Sequence, residues 1–204
     1  MTALVWDKTG EHVYETGVRH GVLYKYDKTT KNYKNGVAWN GLTTVTMSPE
    51  GAESNATYAD DIKYLDLISA EELKFTIEAV TYPDEFAECD GTAMISDGVF
   101  IGQQERAKFA FCYSTKVGND QDSEAGYKLH IVYNATAAPS ERAYATVSDS
   151  PEAISFSWEC STTPIPVKGR KPTAELIIDS TKVPAEKLKK VEAKLYGDES
   201  GQPT

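Results

Sequence analysis

A mainly β (α+β) fold is the class this sequence predicts, and three observations carry it. Short runs of alternating apolar and polar residues recur along the chain, as they must where a strand buries one face and wets the other. Turn-forming residues, including 14 Gly and 9 Pro in 204 residues, punctuate those runs. Only two segments carry helix signals. The length suits one medium-sized domain, and 40% hydrophobic residues can build its core. Residues 1–197 are therefore read as one domain and 198–204 (DESGQPT) as a disordered tail.

From the N-terminus, His12 to Glu15 and Val18 to Tyr26 read as two short strands separated by Gly17 and Gly21, followed by a polar turn over 26–35. Val37 to Met47 is rich in β-branched and aromatic residues, with Gly41 marking a bulge or bend. The polar, acidic stretch 48–61 (SPEGAESNATYADD) reads as a long exposed loop, and loops of more than about 12 residues in compact domains are commonly functional. Ile62 to Leu67 and Leu73 to Val80 read as strands, the second alternating Leu73, Phe75, Ile77 and Ala79 against Glu72, Lys74, Thr76 and Glu78.

Pro83 opens a short helix, PDEFAECDG, with acids in its first turn and Gly91 past its end. Strands follow at Ala93 to Ile101, Arg106 to Val117, Gly126 to Ala135, Arg142 to Ser148 and Ile154 to Ser161. Phe109, Phe111 and Tyr113 sit beside Lys108, and Leu129, Ile131 and Tyr133 beside Lys128 and His130, which pairs an apolar face with a charged one. The intervening 118–126 tip is expected to face solvent, its acids serving only to solvate it. After Ile154, Phe156, Trp158 and Cys160 on one strand face, the chain turns through Pro164, Pro166, Gly169 and Pro172 into a strand from Ala174 to Asp179. A helix from Pro184 to Tyr196 closes the fold, with Ala185, Leu188, Val191 and Leu195 on one stripe that covers the sheet and Gly197 as its stop.

A formal charge of -10 disfavours nucleic-acid binding, which needs clustered cations against phosphates. An acidic surface repels DNA instead; solubility is the plain reading of it, and a conduit through which DNA slides is the functional one. Cys89, Cys112 and Cys160 are odd in number and far apart, which suits neither a disulfide framework nor a CxxC metal site, and Cys112 and Cys160 fall in apolar strand patterns as buried thiols. Met1 to Trp6 has no basic region leading into an apolar one, and no run of about 18 apolar residues occurs, so residence in a reducing cytoplasm is expected.

Signals for chemistry are sparse. No G-x-S-x-G elbow or phosphate-cradling glycine motif occurs, and the histidines lie apart at 12, 20 and 130, with His130 read as an exposed or interface residue. Asp60 and Asp61 with Glu50 and Glu53 lack the spacing of a calcium loop. An enzyme reading rests only on carboxylates that any acidic protein has. Lys168, Gly169, Arg170 and Lys171 form a basic turn, read first as solvated and second as a contact for an acidic patch of a neighbouring subunit. Trp39 and Trp158 are read as core residues rather than sugar platforms.

Two blocks resemble one family. The segment from Gly41 to Gly91 has an acidic stretch ending in Tyr58-Ala59-Asp60-Asp61, then a strand of the L-x-F-T-I-E-A type, then P-x-E-F-A. The second block runs FSWECSTTPIPVKGRKPTAELIIDSTKVPAEKLKKVEAKLYG, from Phe156 to Gly197. In that order they resemble the major tail, or tail tube, proteins of long non-contractile-tailed bacteriophages. The resemblance implies a tail-tube-type β-sandwich or barrel with one flanking α-helix and a C-terminal α-helix. It further implies hexameric rings stacked into a hollow tube through which DNA passes, with tape-measure, tail tip and tail terminator proteins as partners. A location in the virion tail follows, with assembly in the host cytoplasm, and no cofactor, catalytic residue or membrane is implied. Within the 48–61 stretch, Glu50, Glu53, Asn55, Tyr58, Asp60 and Asp61 are the candidate subunit-interface residues. The alternative is a sugar-binding β-sandwich module on a virion or cell surface, which would carry an exposed aromatic cluster.

Overall fold

The computed structural model describes residues 3–147, 149, 150, 152–197 and 203. Its elements, in chain order, are β1 (Tyr14–Asp27), β2 (Asn32–Tyr33), β3 (Val37–Trp39), β4 (Leu42–Gly51), β5 (Ser54–Ala59), β6 (Ile62–Ile68), β7 (Glu71–Ala79), β8 (Ala93–Ser96), β9 (Val99–Ile101), β10 (Phe109–Gly118), β11 (Gly126–Ala137), β12 (Phe156–Thr162), β13 (Glu175–Asp179) and the helix α1 (Ala185–Tyr196). Nine strands form one sheet in the order β2-β1-β10-β11-β12-β7-β4, with β3 added beside β1 and β13 beside β11. Each of its pairings is antiparallel.

Apolar alternation on these strands builds a core on each face. Leu23 of β1, Trp39 of β3, Phe75 and Ile77 of β7, Phe109 and Phe111 of β10, Val132 of β11 and Trp158 of β12 share one cluster with Phe86. Strands from both ends of the sheet order meet in that cluster, so the sheet curls around it. On the opposite face Val22, Tyr24, Ala110, Cys112 and Leu129 pack with Leu188 and Leu195 of α1. The Tyr24 hydroxyl donates to the Leu195 carbonyl, tying the end of the helix to β1. The fold is thus a curled antiparallel sheet with one C-terminal helix as its cover.

Covering both faces changes how β10 reads. Phe109, Phe111 and Tyr113 enter one core while Ala110 and Cys112 enter the other, so the strand is buried nearly throughout rather than having a charged face. The helix buries Leu188 and Leu195 and half-buries Val191, but Ala185, in its first turn, stays exposed. All three cysteines are free and buried, and burial pushes the Cys89 and Cys112 thiols up to about 12 and the Cys160 thiol up as well.

Several segments differ from their sequence reading. The two N-terminal runs are one strand, β1, whose register shifts between Thr16 and Arg19 and again between Arg19 and Val22; Gly17 (φ 67°) and His20 (φ 54°) supply the left-handed backbone there. The expected flanking α-helix after Pro83 is a single 3-10 turn, Asp84–Phe86, extended by an i+3 bond from Cys89 N to Phe86 O. Phe86 and Cys89 are fully buried in the core, and the segment is too short to offset the cost of nucleating an α-helix. Ala93 to Ile101 divides at Gly98 (φ 74°) into the β8–β9 hairpin.

The strand expected at Arg142 to Ser148 is absent over 142–147, and Ser148 lies outside the described residues. Arg142 instead pairs with the buried Asp90 and lies over the Tyr82 and Phe156 rings, which takes this segment off any ladder. Asp120, on the 118–126 tip, does more than solvate it: its carboxylate accepts from the Gly10 amide at 2.9 and 3.0 Å and ties down the N-terminal segment. Of the tail 198–204, only Pro203 is described, its carbonyl accepting from Gly36 N at 3.0 Å; the other residues lie outside the described ones. No helix of the described residues is long and apolar enough to cross a membrane.

Candidate assembly interface

The stretch 48–61 is not a loop. Its N-terminal part continues β4, which pairs with β7 from Leu42 opposite Ala79 to Gly51 opposite Glu71. The same two chain segments then pair again as β5 and β6, from Ser54 opposite Ile68 to Ala59 opposite Ile62, and Ser69 N donates to Glu53 O at 3.0 Å between the two sections. Residues 42–79 therefore form one long β-ribbon. It reverses at Asp60 (φ 52°) and Asp61 (φ 61°), two consecutive left-handed residues that close a two-residue hairpin with the twist of its strands. Polar Ser, Glu, Asn and Asp conceal this because they match loop composition, whereas a ribbon without a core beneath it needs no apolar alternation.

The base of the ribbon is anchored and the rest is not. Phe75, Ile77 and Ala79 are buried, and Val45, Met47 and Leu73 pack against the same cluster. Beyond Ser48 and Glu72, every residue up to the turn is exposed except Ala59, which is half-buried. At about 3.3 Å per residue, Ser48 to Ala59 has a contour length of about 40 Å, interrupted by left-handed Gly51 (φ 84°) and Ala52 (φ 54°) between the two sections. Among the described residues, both outer edges of the β5–β6 section lack a strand partner, since each of these strands pairs only with the other.

The six candidate interface residues all lie on this ribbon, spread along it rather than clustered. Glu50 sits opposite Glu72 and pairs with Lys74 at 2.5 Å, which raises the Lys74 ammonium above its ordinary value. Glu53 lies at the join, where its amide donates to Ser69 Oγ at 3.0 Å. Asn55 faces Leu67 across the ladder, Tyr58 faces Lys63 and is 71% exposed, and Asp60 and Asp61 form the tip. Asp66 is held below the usual carboxylate range by the Lys63 ammonium and the Ser54 hydroxyl. Such exposed pairs contribute little to stability. Glu50 and the tip aspartates are about 30 Å apart along the strand, so they make no shared cation site. Among the described residues, no group of three or more His, Cys, Asp or Glu could hold a metal ion.

The residues that composition missed are apolar. Ile62 (63% exposed), Tyr64 (66%), Leu67 (62%) and Ile68 (70%) lie on β6 in water, together with Leu65. Their signal was visible as an apolar strand without strict alternation, a pattern that normally means burial on both faces. Here the described residues supply no layer for either face. A two-stranded hairpin alone is marginally stable at best in water, and an apolar one with free edges is a template for another chain. Exposed apolar side chains recur on the β8–β9 hairpin, at Met94, Ile95 and Phe100, and on the edge strand β13, at Leu176 and Ile177.

The histidines lie apart from the ribbon. His130 is mostly buried rather than exposed, stacked on Tyr113 at 4.7 Å, with Nε2 3.3 Å from Glu15 and Nδ1 3.7 Å from Glu175. These contacts hold β1, β11 and β13 together within the chain. His12 lies near Asp7 and Asp120, and His20 stands edge-on to Tyr196. Trp39 and Trp158 are buried in the core, as their sequence context indicates, and are not surface platforms. No protein-family model matches the chain, and no curated protein matches it.

Proposed function

We propose that the protein is a structural subunit that assembles with copies of itself, as a major tail protein whose hexameric rings stack into the hollow tail tube of a long, non-contractile-tailed phage. The single observation carrying this reading is the 42–79 ribbon, which extends from the main sheet with exposed apolar side chains and, among the described residues, no strand pairing the outer edges of its β5–β6 section. A neighbouring subunit's strands would pair those edges and cover those side chains, which removes the aggregation hazard of an open edge. The net charge of -10 suits a lumen through which DNA slides without adhering. Tape-measure, tail tip and tail terminator proteins are the partners this role requires, the working location is the virion tail, and no cofactor enters the account.

Hydrogen exchange of the ribbon tests the reading. Amides of residues 52–70 are expected to exchange quickly in dilute protein and to gain about a hundredfold protection or more in concentrated or nucleated samples, as their edges become paired. Equal exchange at every concentration, with or without a tail tip complex, would contradict a self-completing subunit.

A further inference from the structure

The charge of this protein is distributed unevenly. The ribbon 42–79 holds eight acids against two lysines, which is six of the ten net negative charges. Both lysines are already paired, Lys63 with Asp66 and Lys74 with Glu50. Glu53, Asp60, Asp61, Glu71 and Glu72 are left exposed and in no ion pair among the described residues.

A complementary feature lies between β12 and β13. The loop 163–173 (TPIPVKGRKPT) contains Lys168, Arg170 and Lys171 and no acid. Its base is closed by reciprocal backbone bonds between Ile165 and Thr173, of 2.8 and 3.0 Å. Its tip turns at Gly169 (φ 73°), where a Cβ would meet nothing within 4 Å, and Arg170 N donates to Val167 O at 3.1 Å. This is a shaped projection rather than a loose segment. All three cations are exposed, and none forms an ion pair among the described residues. The loop leaves β12 at the ribbon's own end of the sheet, where Thr162 Oγ1 donates to Leu73 O at 2.8 Å, and still no cation of it pairs with a ribbon acid of the same chain.

We propose that the 163–173 loop is the docking site for the acidic ribbon of an adjacent copy, with Lys168, Arg170 and Lys171 meeting Glu53, Glu71 and Glu72, which lie together where the two sections of the ribbon join. The inference rests on the self-assembly reading and adds to it the surface that receives the ribbon and the reason it does so in one direction. Where the loop-to-ribbon contact is not returned within the same pair it is heterologous and propagates into a ring or an open filament, whereas a returned contact would close a two-fold dimer. Charge sets register and suppresses wrong pairings here, while the ribbon's apolar side chains and free edges supply affinity.

Two charge-reversed proteins test it. One carries Lys168→Glu, Arg170→Glu and Lys171→Glu, the other Glu53→Lys, Glu71→Lys and Glu72→Lys; all six positions are exposed, and circular dichroism checks that both proteins fold. Each alone is expected to need about tenfold or more higher concentration to assemble, by sedimentation and negative-stain microscopy, since like charges then face each other. A 1:1 mixture is expected to assemble as wild type does, because alternating subunits restore every pairing in an even-numbered ring. A control with Lys187→Glu, Lys189→Glu and Lys190→Glu on α1 makes the same change of net charge as the loop variant and is expected to assemble normally. Normal assembly of the loop variant, failure of the mixture, or equal loss in the α1 control would overturn the loop as the docking site while leaving the tube reading in place. Wild-type protein that never assembles would instead overturn the tube reading, and this contact with it.

Discussion

Replacing residues 52–70 with a two-residue Asn-Gly turn is expected to abolish assembly and leave a folded monomer. Gly51 and Glu71 face each other in register, so a two-residue hairpin turn closes the shortened ribbon without moving β4 or β7. Nothing removed reaches either core cluster, and every residue lost is exposed apart from Ala59. The melting temperature should therefore hold within a few degrees, since surface changes away from packed features fall within about 0.5 kcal/mol. Removing only one strand of the ribbon, such as 50–58, would be a poorer experiment. It leaves β6 unpaired, with apolar Ile62, Leu67 and Ile68 on a free strand. Rings or tubes formed by the shortened protein at wild-type concentrations would remove the ribbon from the account.

Trp39→Ala is expected to have the largest effect on stability, a loss of about 3–5 kcal/mol in urea unfolding. Trp39 is 2% exposed, and its ring meets Phe86 at 4.6 Å, Phe111 at 5.4 Å and Trp158 at 5.5 Å. Its indole Nε1 donates to Thr81 O at 2.9 Å, so truncation opens a cavity and also leaves that carbonyl without its donor. Domains of this kind have about 5–15 kcal/mol in total, so the loss is a large fraction of it. Trp39→Phe keeps most of the ring volume and should lose less. A loss under about 1 kcal/mol for Trp39→Ala would mean that the sheet does not curl around this cluster.

Strands with a core beneath them were legible in the sequence. Leu73, Phe75, Ile77 and Ala79 alternate because β7 has one face on the aromatic cluster, and Phe156 to Ser161 reads the same way for the same reason. The C-terminal helix was legible from Leu188, Val191 and Leu195 at helical spacing and from Gly197 at its end. Where tertiary context decides, the pattern misled. Asp84–Phe86 has good α-helix signals, yet Phe86 and Cys89 are drawn into the core and hold a tighter turn. Arg142 to Ser148 alternates like a strand, but the pull of Asp90, Tyr82 and Phe156 on Arg142 is a contact between distant residues that no local window contains.

The ribbon failed to announce itself for a related reason. Polar residues from Ser48 to Asp61 carry no periodicity because neither face meets the subunit's own core, and only β6 kept a strand-like composition. The six candidate interface residues lie on a β-ribbon and its turn rather than on the expected loop. Across the ladder Leu67 faces Asn55, on the strand the sequence predicts from Ile62 to Leu67, and it is exposed. In the proposed assembly, a strand that is apolar in sequence and exposed in the monomer is the surface a neighbouring copy would bury.

Negative-stain electron microscopy of the purified full chain across a concentration series, with and without a tail tip complex as nucleus, tests the central claim most directly. The account expects stacked rings or tubes with a central channel, appearing above a threshold concentration or on nucleation. Uniform monomers under every one of those conditions would contradict it.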